Sequence, residues 1–564
     1  LLSVGNRPVL VLGLLLAGAL VAFLLPAPWR STRRLVAATV LVLAGWAALS
    51  IAPLTSSGPV VASFGDAVAG VPLTLRADQI GLVLVLISLV ATLFALGAAD
   101  RQPGEEAALL VTAAGAALAA LAGNAVILFG GAEIASLGGL LLASAGRGRV
   151  SRGAVAAFTI QHVFALGLLL AAVELIVATG TSDPYAVPQS AVGLAVALPW
   201  GLGGAGRLLA AGWWPGAAGG RSTRSWLAIG AVPCGAAILL RLDAATGGAG
   251  ETALTVVLAT FGAAAALWGA VAAWRWQHES RRAGRALLAV SAGTLVAVAG
   301  LPGGAGGFAA GVVALELALL AAPAWSQPTR PSRPGRVLAA TALAAAGGLP
   351  LGFGATAAVL ELGAVAALGR AYAPLLLALG AAAVMAAAGG LVAARQALGS
   401  AATAAEGRAE LEAPSGTVLP RPDAVLALAL GALAALLPGV VGTVILGPLV
   451  GSSAPAAIDP ATLHGPGGSW PGGYLSLALL VVLVGVASAG MLMGRPVPHP
   501  AHGAEGPRPR PAWLALVGPR RSLGPAARHL GRGLARIDTW LVTQPRLFFT
   551  VIVALAALIG FHYL

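Results

Sequence analysis

Residues 124–144 read NAVILFGGAEIASLGGLLLAS, and the class of fold turns on that stretch. It is long enough to cross the roughly 30 Å hydrocarbon core of a bilayer as a helix and far too long for one strand, and its single charge is Glu133. Inside a soluble protein such a run would need apolar neighbours on every side and a charged exterior around them. The rest of the chain offers no such exterior: of 564 residues, 58% are hydrophobic and 9% charged, against roughly a quarter charged in soluble domains. The sequence therefore reads as an all-α polytopic membrane protein in which 124–144 is one span among many.

Working outward, apolar stretches of spanning length fall at 9–25, 35–53, 80–98, 107–122, 154–179, 191–211, 226–242, 252–274, 286–301, 304–324, 337–369, 372–394, 424–442, 474–493 and 547–564. With 124–144 they predict 16 transmembrane helices. The first is read as a retained span, because no small-residue cleavage site follows it. The basic residues check the count. All 33 are Arg, and with the N-terminus outside, 28 fall in inside loops. Arg7, Arg76, Arg241 and Arg370 fall outside, and Arg207 lies within a span. One missed helix would invert every later loop and scramble that asymmetry, so the positive-inside rule supports 16 spans with both termini outside. The Ala/Gly/Arg-rich, Lys-free composition is that of a GC-rich bacterial genome, which places the protein in a bacterial plasma membrane. The net charge of +13 thus reports orientation in the bilayer rather than binding of nucleic acid.

Three places interrupt the run of spans. Between Ala52 and Ala77, alternating apolar residues (Val60, Phe64, Val71, Leu73, Leu75) predict a short hairpin on the outside surface. Residues 525–544 put Leu530, Leu534, Ile537 and Leu541 on one helical face and Arg528, Arg532 and Arg536 on another, the pattern of an amphipathic helix lying along the membrane. Gly348-Leu-Pro350 should break the twelfth span near mid-membrane, which lipid tolerates only where protein or a polar cavity satisfies the freed backbone groups.

Several chemistries are disfavoured by what the chain carries. Its one cysteine, Cys234, excludes an intrachain disulfide or a thiolate cluster. The glycine-rich run Gly300–Gly307 has neither the following Lys nor the preceding strand of a phosphate loop. His499 and His502 sit in a Pro-rich loop without further metal ligands.

Four motifs in order resemble the antiporter-like membrane subunits shared by respiratory complex I (subunit L), group 4 membrane-bound hydrogenases, formate hydrogenlyase and Mrp cation/proton antiporters. Leu73-Thr-Leu-Arg-Ala-Asp78 resembles the sequence that leads into that family's third helix. Asn124 to Glu133 is similar to its fifth helix, which carries a proton-bearing glutamate. Trp213-Trp-Pro215 followed by Ser225 through Arg241 resembles the segment leading into and through the eighth helix, and Gly348-Leu-Pro-Leu-Gly-Phe353 the break in the twelfth. The amphipathic segment and last span are similar to the lateral helix and terminal anchor of subunit L. On this resemblance the chain divides into N-terminal helices (1–122), two antiporter-like helix sets (123–274 and 275–442), and a terminal portion with the lateral helix (443–564).

Charges at bilayer depth need a reason. The resemblance gives Glu133 the proton-carrying role and replaces the partner lysine of helix seven by Arg207, about one turn later. A buried Lys can shed its proton, whereas a guanidinium in effect never does, so Glu133–Arg207 is expected to behave as a fixed ion pair. Positions matching the remaining titratable groups of the family are apolar or neutral here: Leu227, Leu317, Ala321 and Ala355 or Thr356. Glu316 and Glu361 are the candidates to replace them by a shifted route, and His162, in span six, is a candidate of its own although a lone intramembrane His more often serves structure. Glu174 lies twelve residues from His162, about 18 Å along a helix, and cannot touch it.

The resemblance implies a membrane-arm subunit of a complex I-like or membrane-bound hydrogenase-like respiratory complex, with an eroded proton path, a structural role and proton translocation as a second role. A cation/proton antiporter or ion/inorganic-carbon transporter subunit is the alternative. No catalytic centre is expected in this chain. Iron–sulfur clusters, flavin or nickel–iron would reside only in partner subunits, and the contacts of the chain would be those membrane and peripheral subunits and lipid.

Overall fold

A computed structural model of the protein describes residues 6–399, apart from 27, 69–70, 98–103, 146–151, 189–191, 214–220, 247–251, 278, 302–304, 326–332 and 349–352. The expected spans at 424–442, 474–493 and 547–564 and the amphipathic helix at 525–544 lie outside the described residues.

Helices α1 (Arg7–Leu24) and α2 (Arg30–Ile51) lead into a two-stranded antiparallel hairpin, β1 (Val60–Val68) and β2 (Val71–Ala77). Then follow α3 (Gln79–Gly97), α4 (Glu105–Ala120), α5 (Ala125–Ser144), α6 (Arg152–Thr179) and α7 (Leu194–Trp213). A short α8 (Arg221–Trp226) passes through a π turn at Leu227–Ala231 into α9 (Val232–Thr246). The remainder is α10 (Thr252–Arg275), α11 (Ser280–Ala299), α12 (Ala305–Trp325), α13 (Arg333–Ala346), α14 (Phe353–Ala367) and α15 (Ala373–Gly399). Eleven helices among the described residues are long and apolar enough to cross a membrane.

Local chemistry explains where the helices start. Asp78 caps α3, its Oδ1 accepting from the Gly81 amide at 2.8 Å. Asn124 caps α5 by accepting from the Ile127 amide at 2.8 Å, while its Nδ2 donates to the Pro72 carbonyl. The second bond fastens the hairpin to α5. Strand β2 is further stitched to the α4–α5 turn by Arg76 N–H donating to Leu121 O at 2.8 Å and Gly123 N–H to Thr74 O at 3.0 Å. The expected hairpin is present, and it is anchored at this corner, with Leu75 wholly buried.

Without water to drive helices together in lipid, small residues let their backbones approach. Gly115 of α4 faces the Ala135 backbone of α5, and Gly131 of α5 faces that of Ala119, so close that a methyl at either position would collide. Helix α4 is only 16 residues, about 24 Å long, yet nearly all of it is buried between neighbours. Helix α13 stops at Ala346, Gly348 takes φ +80°, and α14 starts at Phe353. A left-handed residue at that point suits glycine and ends a helix.

Candidate functional site

Glu133 lies eight residues into α5, about 12 Å from its start and so near mid-span. Two helices bring partners to it. His162 of α6 places Nδ1 2.7 Å from Glu133 Oε2, and the Phe158 ring stacks on the imidazole with centroids 5.9 Å apart. Arg207 of α7 approaches from the other side, Nη2 standing 4.0 Å from Glu133 Oε1. Its Nη1 donates to Ser136 Oγ at 3.0 Å, and Ser136, one turn after Glu133, donates in turn to Ala132 O. The guanidinium is wholly buried, the carboxylate 22% exposed and the imidazole 43% exposed.

The carboxylate is thus held between a permanent cation on the closed side and a titratable imidazole on the open side. Arg207 and Glu133 stand at ion-pair range, as the residue types require at this depth. The contact that the sequence did not give is His162 to Glu133. Which face of α6 meets α5 depends on helix packing, and spacing within α6 alone carries no information about it.

A second charged group went unread. Arg241 of α9, counted from the sequence as an outside residue, is 4% exposed and reaches back into the bundle. Its Nη1 is 2.7 Å from Asp78 Oδ2 and 2.8 Å from the Tyr185 hydroxyl, and its Nη2 donates to Ala120 O at 2.6 Å. The Arg76 guanidinium covers the Tyr185 ring at 4.0 Å. This cluster ties the hairpin, α3, α4, α9 and the segment after α6 into one corner. Asp78 and Arg241 are opposite charges at span ends, both in motifs already singled out.

Glu316 of α12 is 4% exposed, and both its carboxyl oxygens are buried with no hydrogen-bond partner among the described residues. Glu361 of α14 is equally buried and lines a cavity of about 40 Å³ with Ser291, Thr294, Gly311 and the end of α13. Among the described residues neither carboxyl makes an ion pair with the Glu133 group. Leu227 falls in the π turn and is buried, and the carbonyl of Ile229 two residues on accepts from Ser88 Oγ at 2.7 Å. That bond satisfies a group which the irregular turn would leave exposed. No cluster of three or more metal-ligating side chains occurs among the described residues.

No family model and no curated protein matches the sequence. Solved structures do. A chain of the Mrp complex from a Dietzia species is similar over 98% of this sequence and 62% of its own, at 21% identity and TM-score 0.67. This protein therefore spans less than two thirds of that chain. A chain of the membrane-bound sulfane sulfur reductase, an archaeal respiratory membrane complex, is similar over 86% of this sequence and 85% of its own, at 18% identity and TM-score 0.60. For a chain of respiratory complex I from Thermus thermophilus the shares are 86% and 99%, at 17% identity and TM-score 0.59. The protein is a multi-pass membrane protein with the fold of these chains, the fold to which its motifs pointed.

Proposed function

We propose that the chain is a membrane-arm subunit of a multisubunit respiratory complex, complex I-like or membrane-bound hydrogenase-like, bracing its neighbours and passing protons through the Glu133 group. The observation that carries the proposal is the open side of that group. His162 and Glu133 are 43% and 22% exposed on a face otherwise built of Leu137, Leu141, Val163 and Leu166. Polar groups at membrane depth are expensive against lipid tails, so this face fits another protein subunit that closes over the imidazole.

The chemistry follows from the geometry. A His162 imidazolium and the Glu133 carboxylate share the Nδ1 proton, which rests on Nδ1 or passes to Oε2 and leaves a neutral ring protonated at Nε2. Arg207 keeps its charge throughout. Its wholly buried guanidinium faces the carboxylate, and its hydrogen bond to Ser136 fixes where that charge acts. Glu316 is the remaining carboxyl group of this shifted route.

Several finer assignments belong to the same reading. Helices α13 and α14 are the halves of one broken span, and 16 spans place both termini outside a bacterial plasma membrane. The division at 122, 274 and 442 separates the N-terminal helices, two antiporter-like sets and a terminal anchor with a lateral helix. Iron–sulfur, flavin or nickel–iron chemistry belongs to partner subunits. The extent of the likeness to the Mrp-complex chain favours one second reading, a subunit of a cation/proton antiporter or ion/inorganic-carbon transporter.

Purification from mild-detergent membranes with identification of every partner separates the two. Recovery with subunits bearing iron–sulfur ligands supports the respiratory reading. Recovery alone or with a single soluble partner refutes it and leaves the transporter. In the respiratory case, His162→Gln should keep the assembly intact and lower redox-driven proton uptake into vesicles several-fold. Undiminished uptake would remove His162 from the path.

A further inference from the structure

Where α13 ends, a cavity of about 40 Å³ lies between α11, α12, α14 and α15. One water requires roughly 10–15 Å³ of such space, so the cavity holds more than a single water. The polar side chains that line it are Ser291, Thr294 and Glu361. All three offer oxygen. Thr294 donates its hydroxyl proton to Val290 O at 3.0 Å and Ser291 donates to Leu287 O at 3.3 Å, so each oxygen is left as an acceptor. Glu361 is 4% exposed and has neither a hydrogen bond nor an ion pair among the described residues. Its Oε1 lies against Gly311, where a methyl would displace it.

The backbone adds the same sign. Ala346 and Gly347, at the carbonyl end of α13, also line the cavity, and that end of a helix carries partial negative charge. The amino end of α14 does not balance Glu361, which sits eight residues past Phe353, about 12 Å from the free amides of the first turn. Among the described residues, no Arg or His side chain lines the cavity. A pocket with one carboxyl, two committed hydroxyls and a carbonyl terminus has acceptors and lacks side-chain donors.

We infer that this cavity is a binding site for one partly dehydrated alkali-metal cation of sodium size, held as a resident ion. Oxygen-only ligands suit a hard cation, and a single carboxylate balances a single charge. The volume leaves room for the ion with a bound water. Bound there, the ion bridges α14 to α11 and to the end of α13, and so fixes the geometry of the α13–α14 junction. The inference rests on the fold and this cavity alone and is independent of which complex the chain joins.

The test is equilibrium binding of ²²Na⁺ to the detergent-purified full chain in choline buffer, with its partners if they co-purify. Saturable binding near one ion per chain is expected, displaced by unlabelled sodium and untouched by choline. Glu361→Gln should weaken it at least tenfold, and Thr294→Val by a smaller factor. Gly311→Ala keeps the carboxyl but crowds Oε1, and should also weaken binding, which keeps the test valid if the glutamine variant fails to fold. Absence of saturable binding in the wild type, or unchanged binding in whichever of Glu361→Gln and Gly311→Ala folds, overturns the site.

Discussion

At the scale of single residues, the Glu133 group is asymmetric, and the asymmetry sets what each substitution costs. Arg207 is wholly buried, and Glu133 is its acidic partner, at 4.0 Å. Glu133 by contrast keeps His162 at 2.7 Å if Arg207 is lost. Glu133→Gln therefore strands a buried guanidinium and should destabilise the protein by roughly 3–5 kcal/mol, the range for breaking one side of a buried pair. Arg207→Met leaves a carboxyl that is still hydrogen-bonded, and should cost on the order of 1–3 kcal/mol. The double variant should recover most of the loss, because a neutral pair of similar volume needs no counter-charge. Thermal unfolding of the detergent-solubilised variants reads all three. Additive losses in the double variant would mean that the 4.0 Å contact carries no energy.

The same residues show how far sequence alone reaches. Glu133 and Arg207 could be paired because a charge in an apolar span demands a partner and few were on offer. His162 could not be joined to them, since its contact depends on how α6 rotates against α5. Glu361 reads from the sequence as a relay candidate, but the cavity beside it arises from four helices meeting at a helix end, which no local pattern encodes.

At the scale of elements, the apolar runs of 17–25 residues were legible almost everywhere, and the irregular joints were not. The read span at 226–242 is present as α8, a π turn and α9, and no residue type announces the wider turn. The hairpin was legible from alternation, whereas its attachment was not. That attachment makes a prediction. Asp78 and Arg241 are 163 residues apart, and their bond at 2.7 Å closes the corner where the hairpin meets α3, α4 and α9. Asp78→Asn should lower stability by roughly 3–5 kcal/mol, because it strands the buried Arg241 guanidinium, and Arg241→Met by less, because Asp78 is the more exposed partner and keeps Arg76 at 3.8 Å. The two losses should be strongly non-additive in the double variant. Limited proteolysis at the hairpin reports the same event locally: both variants should be cut faster there than the wild type. Additive losses with unchanged cleavage would show that the pair does not hold the corner.

At the scale of the whole molecule, contacts at the helix ends show that α1 to α5 run alternately and that α10 runs against α11. Arg7 at the start of α1 donates to Ser50 O near the end of α2 at 2.7 Å. Asp78 before α3, Ala120 ending α4 and Arg241 in α9 meet at one corner, and Asn124 at the start of α5 reaches the same hairpin. At the opposite end, Arg34 near the start of α2 stands 4.0 Å from Glu106 at the start of α4. Thr255 near the start of α10 donates to Gly300 O after α11 at 2.7 Å. The geometry does not say which end is inside, and the arginines supply an expectation. On the positive-inside rule, the end that carries Arg30, Arg33, Arg34, Arg281 and Arg282 is expected in the cytoplasm and the hairpin corner outside. Helix α2 alone suffices for a test, because its 22 residues, about 33 Å, separate two exposed serines. Cys234 is wholly buried and should stay silent toward a membrane-impermeant maleimide. Ser56→Cys, beside the hairpin, should label in intact cells. Ser31→Cys, at the start of α2, should label only after the cells are opened. The reverse pattern would turn the chain over, place 28 arginines outside, and with them defeat the charge argument on which the count of 16 spans rests.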